Sequence, residues 1–490
     1  MLRPYSCIFL LLLASIYLLF GCGGRNTTPV RTPPPAAGNF SAVVFSDLHF
    51  NPFYDPSLFV THPTLCTTAD PTQLASIFQT SKITTPSQWG TDTNYPLLLL
   101  ALASIKQNLG TSPVVIYTGD LIGHSFPPLF YQYCEGLPPA ASTSVKDIAA
   151  MQAFTDKTVA FVTAQVRAAV GNIPVMFAVG NIDSYTGYGP DATFLSNNAE
   201  TFYSQFVSGT TDHQAFLTTF EAGGYYSAQP LGPNLMVIGL NTNLMALGVP
   251  GDNDSAVASE LAWLDSTLDS AQAAGQNVWL LMHVPPGANT VSTAASIVSG
   301  HPVSATMMMY PSYQTTFLQI LAKYPGVITL ILGAHTHMDE FRILSPNNVL
   351  DEVPAISPCF GENPAFKIFV LTQDTFTPTD YRSLSYDLAM MPAQFNSYYT
   401  FSTAYSMTGP LGTSLAQLYP QLATNVLLTT QPPNTQQALY MGQYLSGDNS
   451  GINPKSAAKW NPITYSNWPV FACGIGKMSQ PDFEDCVNSY

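Results

Sequence analysis

The chain has 490 residues, of which 46% are hydrophobic and only 9% are charged, and its formal net charge at pH 7 is −15. Its 15 lysines and arginines form no basic run, which argues against a protein that binds the phosphate backbone of nucleic acid. We therefore predict no nucleic-acid partner. A chain of this length and apolar content can bury a large core, so we expect one large domain with an appendage.

Residues 1–22 have the pattern of an export signal, because Arg3 precedes an apolar run over residues 8–20 and small residues follow. The run is too short for a membrane span. The segment ending at Cys22 resembles a bacterial lipobox, which predicts lipidation of that cysteine; a simple signal peptide or an uncleaved anchor is the alternative. Residues 23–38 have the composition of a flexible tether. We expect export, with the protein either anchored by lipid to a bacterial cell envelope or secreted, and with no other membrane contact.

Five short apolar runs each end close to a residue that can bind a metal. They are residues 40–45 before Asp47, 114–117 before Asp120, 175–179 before Asn181, 278–282 before His283, and 327–332 before His335. Such runs predict strands that are covered on both faces. Helix-like stretches lie between them, at 96–108, 145–170, 255–274 and 310–324. The alternation predicts an α/β layered core, with ligands at the carboxyl ends of the strands.

Further strands are predicted at 225–227, 235–240, 341–344 and 366–371, which is consistent with a second sheet packed on the first. After residue 376 the apolar strand runs end, and aromatic, Thr, Gln and Pro residues dominate. We therefore divide the chain into a main domain over 39–375 and a smaller, mostly helical C-terminal subdomain over 376–490.

The cysteines of the mature chain are odd in number, although the predicted compartment is oxidising. Cys473 and Cys486 lie close together near the C-terminus, and we predict a disulfide between them. Cys66 and Cys134 both follow candidate metal motifs and could meet, but their pairing stays open. Cys359 is expected to be the thiol left over.

Aspartate, asparagine and histidine side chains are ligands suited to zinc, manganese or iron. The candidate ligands, in chain order, are Asp47, His49, Asp120, Asn181, His283, His335 and His337. Asp120 could bridge two ions, the first also held by Asp47, His49 and His337 and the second by Asn181, His283 and His335. Each motif alone is more often structural than metal-binding. Their conjunction at one sheet edge predicts a two-metal centre, which could activate water for attack on phosphorus.

The order Asp-x-His, Gly-Asp, Gly-Asn, His and His-x-His resembles that of the calcineurin-like metallophosphoesterases. Further segments, at 223–227, 241–243, 283–287, 354–358 and the tail 471–486, resemble the acid sphingomyelinase-like phosphodiesterases, without a saposin domain. The resemblance implies a four-layer fold, a β-sandwich flanked by helices, and two divalent ions, with zinc expected. It also implies metal roles for the seven candidate ligands, and it places His124 beside the substrate phosphate as the candidate catalytic residue.

The same resemblance implies an exported enzyme that hydrolyses phosphodiester or phosphoanhydride bonds through a hydroxide held between the metals. We expect the protein to be a monomer. Its partner would be a small-molecule or lipid phosphodiester, such as a sphingomyelin-like, nucleotide or CDP-choline-like compound. A surface lipoprotein with a purely structural role is a competing interpretation, and it predicts no bound metal.

One residue departs from the pattern of the family. Its third motif is Gly-Asn-His-Asp, in which the histidine assists the leaving group, but here Ile182 follows Asn181. Isoleucine can neither donate a proton nor carry charge. Three outcomes follow: His124 takes over the acid role, the enzyme favours good leaving groups, or the chain is a metal-binding pseudoenzyme or phospho-ligand binding protein. We expect Asp183 to support the site from behind the ligands.

Overall fold

Two six-stranded sheets form the centre of the protein in its computed structural model. The structure describes residues 38–67, 70–138, 146–189, 191–248, 254–424, 433–447 and 463–490. The strands are β1 Asn39–Phe45, β2 Val115–Tyr117, β3 Val175–Phe177, β4 Tyr226–Ala228, β5 Leu235–Gly239, β6 Asn277–Leu281, β7 Ile328–Gly333, β8 Phe341–Ser345, β9 Asn348–Glu352, β10 Ala365–Thr372, β11 Pro378–Ser385 and β12 Asn396–Thr400. The first sheet has the order β12-β11-β10-β1-β2-β3 and the second β4-β5-β6-β7-β9-β8.

The strands that lead to the candidate ligands are parallel within each sheet. In the first sheet β1, β2 and β3 run parallel, and in the second β5, β6 and β7 do so. Their connections contain helices, as crossovers between parallel strands usually do. The carboxyl ends of parallel neighbours therefore meet at one edge of each sheet.

Strand β6 shows why these segments read as continuous apolar runs. Alternate side chains of a strand point to opposite faces of its sheet. Trp279 and Leu281 belong to the core between the sheets, whereas Val278 and Leu280 pack in a separate cluster with the helical residues Leu264 and Phe317. Both faces of the strand are buried, and its residues from Val278 to Leu281 are all apolar.

The two sheets face each other and helices cover them. The Phe40 and Trp279 rings stack across the interface, and the Tyr226 hydroxyl bonds the backbone of Phe177. The helices are α1 Ser57–Thr61, α2 Pro71–Phe78, α3 Tyr95–Asn108, α4 Phe126–Cys134, α5 Ile148–Val170, α6 Ala192–Phe202, α7 His213–Gly223, α8 Asp254–Ala273, α9 Thr290–Val298, α10 Pro311–Lys323, α11 Phe401–Tyr405, α12 Leu411–Leu422, α13 Thr435–Gln443, α14 Trp468–Gly476 and α15 Gln480–Asn488, with a π-helical turn at Tyr203–Val207 and a 3-10 turn at Thr242–Met245. The predicted α/β class with two sheets flanked by helices is confirmed.

The predicted boundary at residue 376 needs correction. Strands β11 and β12 extend the first sheet through antiparallel pairing with β10, and residues 36–490 form a single compact unit. The sequence of β11 hid the strand, since polar residues such as Thr379, Asp380 and Arg382 interrupt its apolar pattern. The region is mostly helical only after β12.

Two disulfides tie the chain. The predicted Cys473–Cys486 bond is confirmed and joins α14 to α15. Cys66 pairs with Cys134, which settles the pairing that the sequence left open, and Cys359 is a buried free thiol. The predicted signal sequence, the lipidation at Cys22 and almost all of the tether fall outside the described residues. No helix in the described part of the chain is long and apolar enough to cross a membrane.

A buried carboxyl group links α8 to the end of the second sheet. Glu260 is fully buried, and its Oε1 accepts a hydrogen bond from the backbone N–H of Asn241 at 2.7 Å. Its other carboxylate oxygen has no hydrogen-bond partner among the described residues. Burial raises the pKa of Glu260 to about 8, although the Asn241 bond opposes the rise.

We predict that Glu260 makes the folded state less stable as the pH rises. A carboxyl group whose folded pKa exceeds its unfolded value contributes fully below the unfolded pKa and loses this contribution as the pH rises to the folded one. From pH 5 to 8 the unfolding free energy of the wild type should fall, relative to Glu260→Gln, by up to about 1.4 kcal/mol per pH unit. Denaturant unfolding at several pH values measures this, with Glu221→Gln, a change at an exposed position, as control. Parallel curves for wild type and Glu260→Gln would contradict it.

Candidate metal centre

All seven predicted ligands come together at the carboxyl ends of strands from both sheets. Residues Asp47 and His49 follow β1, Asp120 follows β2, Asn181 follows β3, His283 follows β6, and His335 and His337 follow β7. All of them are buried except His335, which is half-buried. The site therefore lies where the carboxyl ends of strands from the two sheets meet, and not at the edge of a single sheet as the sequence predicted.

The first group of ligands surrounds one point. The Nε2 atoms of His49 and His337 lie 3.1 Å apart, and Asp47 Oδ1 lies 3.8 Å from the first and 3.5 Å from the second. Asp120 Oδ2 approaches His49 Nε2 to 3.4 Å. Four candidate ligand atoms thus converge.

The second group lies on the other side of Asp120. His283 Nε2 is 3.1 Å from Asp120 Oδ2 and 2.9 Å from Asn181 Oδ1. His335 Nδ1 is 2.7 Å from the same Asn181 oxygen. Burial, helped by the charge of His283, lowers the pKa of His335 to about 3, so its ring is neutral at pH 7 and offers a lone pair. The single oxygen Asp120 Oδ2 faces both groups.

The donor set fits divalent cations. Both carboxylate oxygens of Asp47 are buried and have no hydrogen-bond partner among the described residues. A buried, unpaired carboxylate is costly unless a cation compensates it. The facing nitrogens of His49 and His337 likewise need a proton or a metal between them, because two lone pairs repel.

The facing charges keep the carboxylates ionised. Burial raises the pKa of Asp120, but the charges of His283 and His49 lower it by more. The pKa of Asp47 is also lowered, because the charges of His337 and His283 and the nearby His49 ring together outweigh burial. Both carboxylates are therefore available as anionic ligands at neutral pH.

Hydrogen bonds behind the ligands orient three histidine rings. His49 Nδ1 donates to the Ile122 carbonyl at 3.2 Å, and His283 Nδ1 donates to the Thr118 carbonyl at 2.8 Å. His337 Nδ1 instead donates to a carboxylate, that of fully buried Glu362, at 2.8 Å. Each bond leaves Nε2 facing the site.

Sequence reasoning missed Glu362. It follows the recognised 354–358 segment by four residues, and this proximity was the signal available. Its bond makes the two groups of ligands unequal, because in the first group a carboxylate supports one of the histidines.

The backbone at the ligands is in a conformation that side chains rarely adopt. The φ angles are positive at Asp47 (48°), His49 (40°), Asp120 (63°), His335 (74°) and His337 (69°). Non-glycine residues pay for this region with about 1–3 kcal/mol each when strained, and such residues cluster at functional sites. The turns therefore serve to aim the side chains rather than to stabilise the fold.

Close backbone approach explains the glycine in the third motif. A Cβ atom at Gly180 would lie 2.0 Å from Asp120 Oδ1 and 2.1 Å from the Asp120 nitrogen. No side chain fits there. The glycine thus lets the turn that carries Asn181 reach the turn that carries Asp120.

His124 lies beside the first group of ligands. Its ring stacks on that of His49 with centroids 4.1 Å apart, and one third of its side chain is exposed. Asp92, which sequence reasoning missed because no motif marks it, accepts hydrogen bonds from His124 Nδ1 at 2.8 Å and from its backbone N–H at 2.7 Å. Burial lowers the pKa of His124, but the bond and charge of Asp92, with a contribution from Cys359, raise it to about 10.

Ile182 is part of the hydrophobic core and is 4% exposed. Its backbone N–H donates to Asp120 Oδ1 at 2.7 Å, so the residue supports Asp120 through its main chain. Its side chain offers no acid. The remaining histidines lie outside the site: His62 bonds Thr80, exposed His213 bonds Glu200, and His301 is exposed.

A family profile described as "Calcineurin-like phosphoesterase" matches residues 40–339, more than half of the chain. The rat "Cyclic GMP-AMP phosphodiesterase SMPDL3A" is 26% identical over 476 residues, which cover 93% of each chain. The human protein of that name is 26% identical over 79% of this chain and 77% of its own. "Sphingomyelinase phosphodiesterase C" of Dictyostelium discoideum is 23% identical over 59% of this chain and 61% of its own.

Among solved structures, a dimetal phosphatase from Danio rerio is similar at 12% identity and a TM-score of 0.40, covering 74% of this chain and 98% of its own. Purple acid phosphatase PPD1 from yellow lupin is similar at 12% identity and a TM-score of 0.37, covering 75% of this chain and 54% of its own.

Asp183 joins two of the ligand turns, which agrees with the supporting role predicted for it. Its carboxylate accepts backbone N–H bonds from Asp120 at 3.0 Å, Leu121 at 2.8 Å and Gly180 at 3.0 Å. Because the carboxylate is buried, no water can take its place as the hydrogen-bond acceptor of these three N–H groups. Each carboxylate oxygen serves as an acceptor, whereas the amide nitrogen of an asparagine can only donate.

We predict that Asp183→Asn lowers the unfolding free energy by about 3 kcal/mol, because the new amide group faces buried N–H donors. Urea unfolding of the metal-free protein measures this. Asp191→Asn is the matched control: Asp191 caps α6 through the N–H groups of Thr193 and Phe194, and asparagine caps a helix about as well. A loss no larger than that of the control would contradict the joining role.

Proposed function

Because the chain belongs to the calcineurin-like phosphoesterase family, we propose that it is an exported two-metal phosphodiesterase that hydrolyses phosphodiester or phosphoanhydride bonds. The observation that carries the proposal is the position of Asp120 Oδ2, which faces His49 Nε2 at 3.4 Å and His283 Nε2 at 3.1 Å. A carboxylate between two sets of neutral and anionic donors is suited to bridge two cations.

The first cation would be held by Asp47, His49, His337 and Asp120, and the second by Asn181, His283, His335 and Asp120. The mixture of imidazole, carboxylate and amide donors suits zinc, manganese or iron, and we propose zinc. Two bound divalent cations supply positive charge that acidifies water and stabilises the charge that develops at phosphorus. The chain itself supplies the anions and the fixed ring orientations.

His124 is proposed as the general acid in place of the residue that Ile182 lacks. Asp92 holds its Nδ1, which leaves Nε2 as the nitrogen that can donate to a leaving group. The stacking on His49 places the ring beside the first group of ligands. The hydrogen bond to a carboxylate stabilises the protonated ring, as an acid requires.

The substrate is proposed to be a small-molecule or lipid phosphodiester. The names of relatives refer to cyclic GMP-AMP and to sphingomyelin, so both a nucleotide and a phosphocholine lipid are candidates. Export is supported by the two disulfides and by the pattern of residues 1–22, with lipidation at Cys22 as the anchor. We propose that the protein acts as a monomer.

The second candidate function is a protein that binds a phosphorylated ligand without turning it over. The observation that favours it is the burial of Ile182 in the core, where the family has an acid. Both functions would use the same two metal ions, but only the phosphodiesterase would hydrolyse the compound that it binds.

We predict that the purified protein, loaded with zinc, contains two metal ions per chain and that Asp120→Asn loses at least one. Elemental analysis measures the content, and hydrolysis of an activated phosphodiester should fall at least about 100-fold in the variant and after chelation. Asp265→Asn is the control, since Asp265 pairs with Lys323 on the surface and faces no ligand. Retention of both metals by Asp120→Asn would contradict the bridge. Metal binding without turnover would favour the phospho-ligand binding protein.

We predict that His124→Asn slows hydrolysis of diesters with an alkoxide leaving group by about 10²- to 10⁴-fold and of p-nitrophenyl diesters by much less, because only a poor leaving group needs a proton. Asp92→Asn should also slow hydrolysis of both classes of diester, but by smaller factors. The measurement is the kcat of the wild type and of each variant on a diester from each of the two classes. Equal losses on both classes would count against an acid role. So would a gain of orders of magnitude in Ile182→His, which would show that no residue has replaced the histidine.

A further inference from the structure

A buried arginine–glutamate pair lies behind the candidate ligands of the second sheet. Arg342 lies in β8 and Glu352 ends β9, and both side chains are at most 1% exposed. The Nε atom of Arg342 donates a hydrogen bond to Glu352 Oε1. A buried pair of this kind adds little net stability, because the loss of hydration offsets the attraction between the two charges. It does fix direction, since the planar guanidinium group donates in a rigid fork.

The guanidinium group of this pair holds the loop that follows His283. Arg342 Nη1 donates to the Pro286 carbonyl at 3.1 Å and to the Ala288 carbonyl at 2.9 Å. Gly287 lies between these two residues with a φ of 107°, and a Cβ atom there would lie 2.8 Å from the same nitrogen. The loop can therefore pass close to the guanidinium group because it has no side chain at this point.

The carboxylate of the pair holds the turn that carries the other two histidines of the second sheet. Thr336 lies half-buried between His335 and His337, and its hydroxyl group donates to Glu352 Oε2 at 2.8 Å. His335 belongs to the second group of candidate ligands and His337 to the first. A shift of this turn would therefore move one ligand of each group.

We propose that Thr336 is a positioning residue of the metal centre, whose hydroxyl group fixes the turn between His335 and His337 to the buried Glu352–Arg342 pair. The proposal rests on the proposed function, because it takes these histidines to be metal ligands. The φ angles of 74° at His335 and 69° at His337 show that the turn is in a conformation that side chains rarely adopt. A hydrogen bond in the middle of such a turn opposes its relaxation. Loss of hydrogen bonds behind metal ligands typically costs about 10- to 100-fold in metal affinity or activity.

The variant Thr336→Val tests this contact, because valine keeps the shape of the side chain and removes only the hydroxyl group. Substitution of Arg342 or Glu352 is less informative, since a buried charge left without its partner threatens the fold itself. Thr336→Ser keeps the hydroxyl group and is the rescue variant. Thr329→Val is the matched control, because Thr329 is a half-buried threonine of β7 whose hydroxyl group donates to backbone carbonyls.

The purified wild type and the three variants are compared by three measurements. They are zinc affinity by competition with a chelator, the visible absorption spectrum of the Co²⁺-loaded protein, and urea unfolding of the metal-free protein. We expect Thr336→Val to bind zinc at least about tenfold more weakly and to change the Co²⁺ spectrum. Thr336→Ser and Thr329→Val should resemble the wild type in both. Metal-free Thr336→Val should lose no more stability than Thr329→Val.

Wild-type zinc affinity in Thr336→Val would overturn the proposal. Equal weakening in Thr336→Ser would also overturn it, because the hydroxyl group would then not be what holds the turn. So would a loss of metal-free stability larger than that of the control, which would show that the contact serves the fold. A wild type that bound no zinc would overturn this proposal together with the proposed function. One that bound zinc and hydrolysed no diester would overturn the proposed function alone, and the comparison of affinities would still decide the role of Thr336.

Discussion

The shared oxygen of Asp120 is the contact on which the rest of the site depends. It faces one histidine from each sheet. The contacts that hold Asp120 in place come from the third motif, at residues 180–183. Ile182 donates its N–H to the second Asp120 oxygen, and Asp183 accepts the Asp120 N–H. A carboxylate fixed at both oxygens and at its own backbone cannot turn away from either group of ligands. This rigidity is what preorganised catalytic sites require.

The site also shows how strain and support are distributed. Five candidate ligand positions adopt positive φ, and two of them, His49 and His337, are turned toward the centre by bonds to the Ile122 carbonyl and to Glu362. Where the turns meet, as at Gly180, the neighbouring atoms come so close that no side chain fits. The buried strands beneath are apolar on both faces, and their packing offsets the strain in these turns.

The strands and the ligand set were predictable because both depend on local patterns. Apolar runs such as 278–282 mark buried strands, and the residue after each run marks the sheet edge. Strand β11 was missed because its polar residues break the pattern. Asp92 was missed because its contact with His124 joins loops 32 residues apart, and no short motif encodes it.

The division of ligands between the sheets sets when the centre can exist. Asp47, Asp120 and Asn181 come from the first sheet, whereas the histidines at 283, 335 and 337 come from the second. Strand β10, which pairs with β1 beside the first ligands, begins only at Ala365. A chain made only as far as β5 therefore lacks three of the seven candidate ligands, and it also lacks the strand that flanks the first of the other four. The full set of candidate ligands therefore exists only once the chain has been made as far as His337.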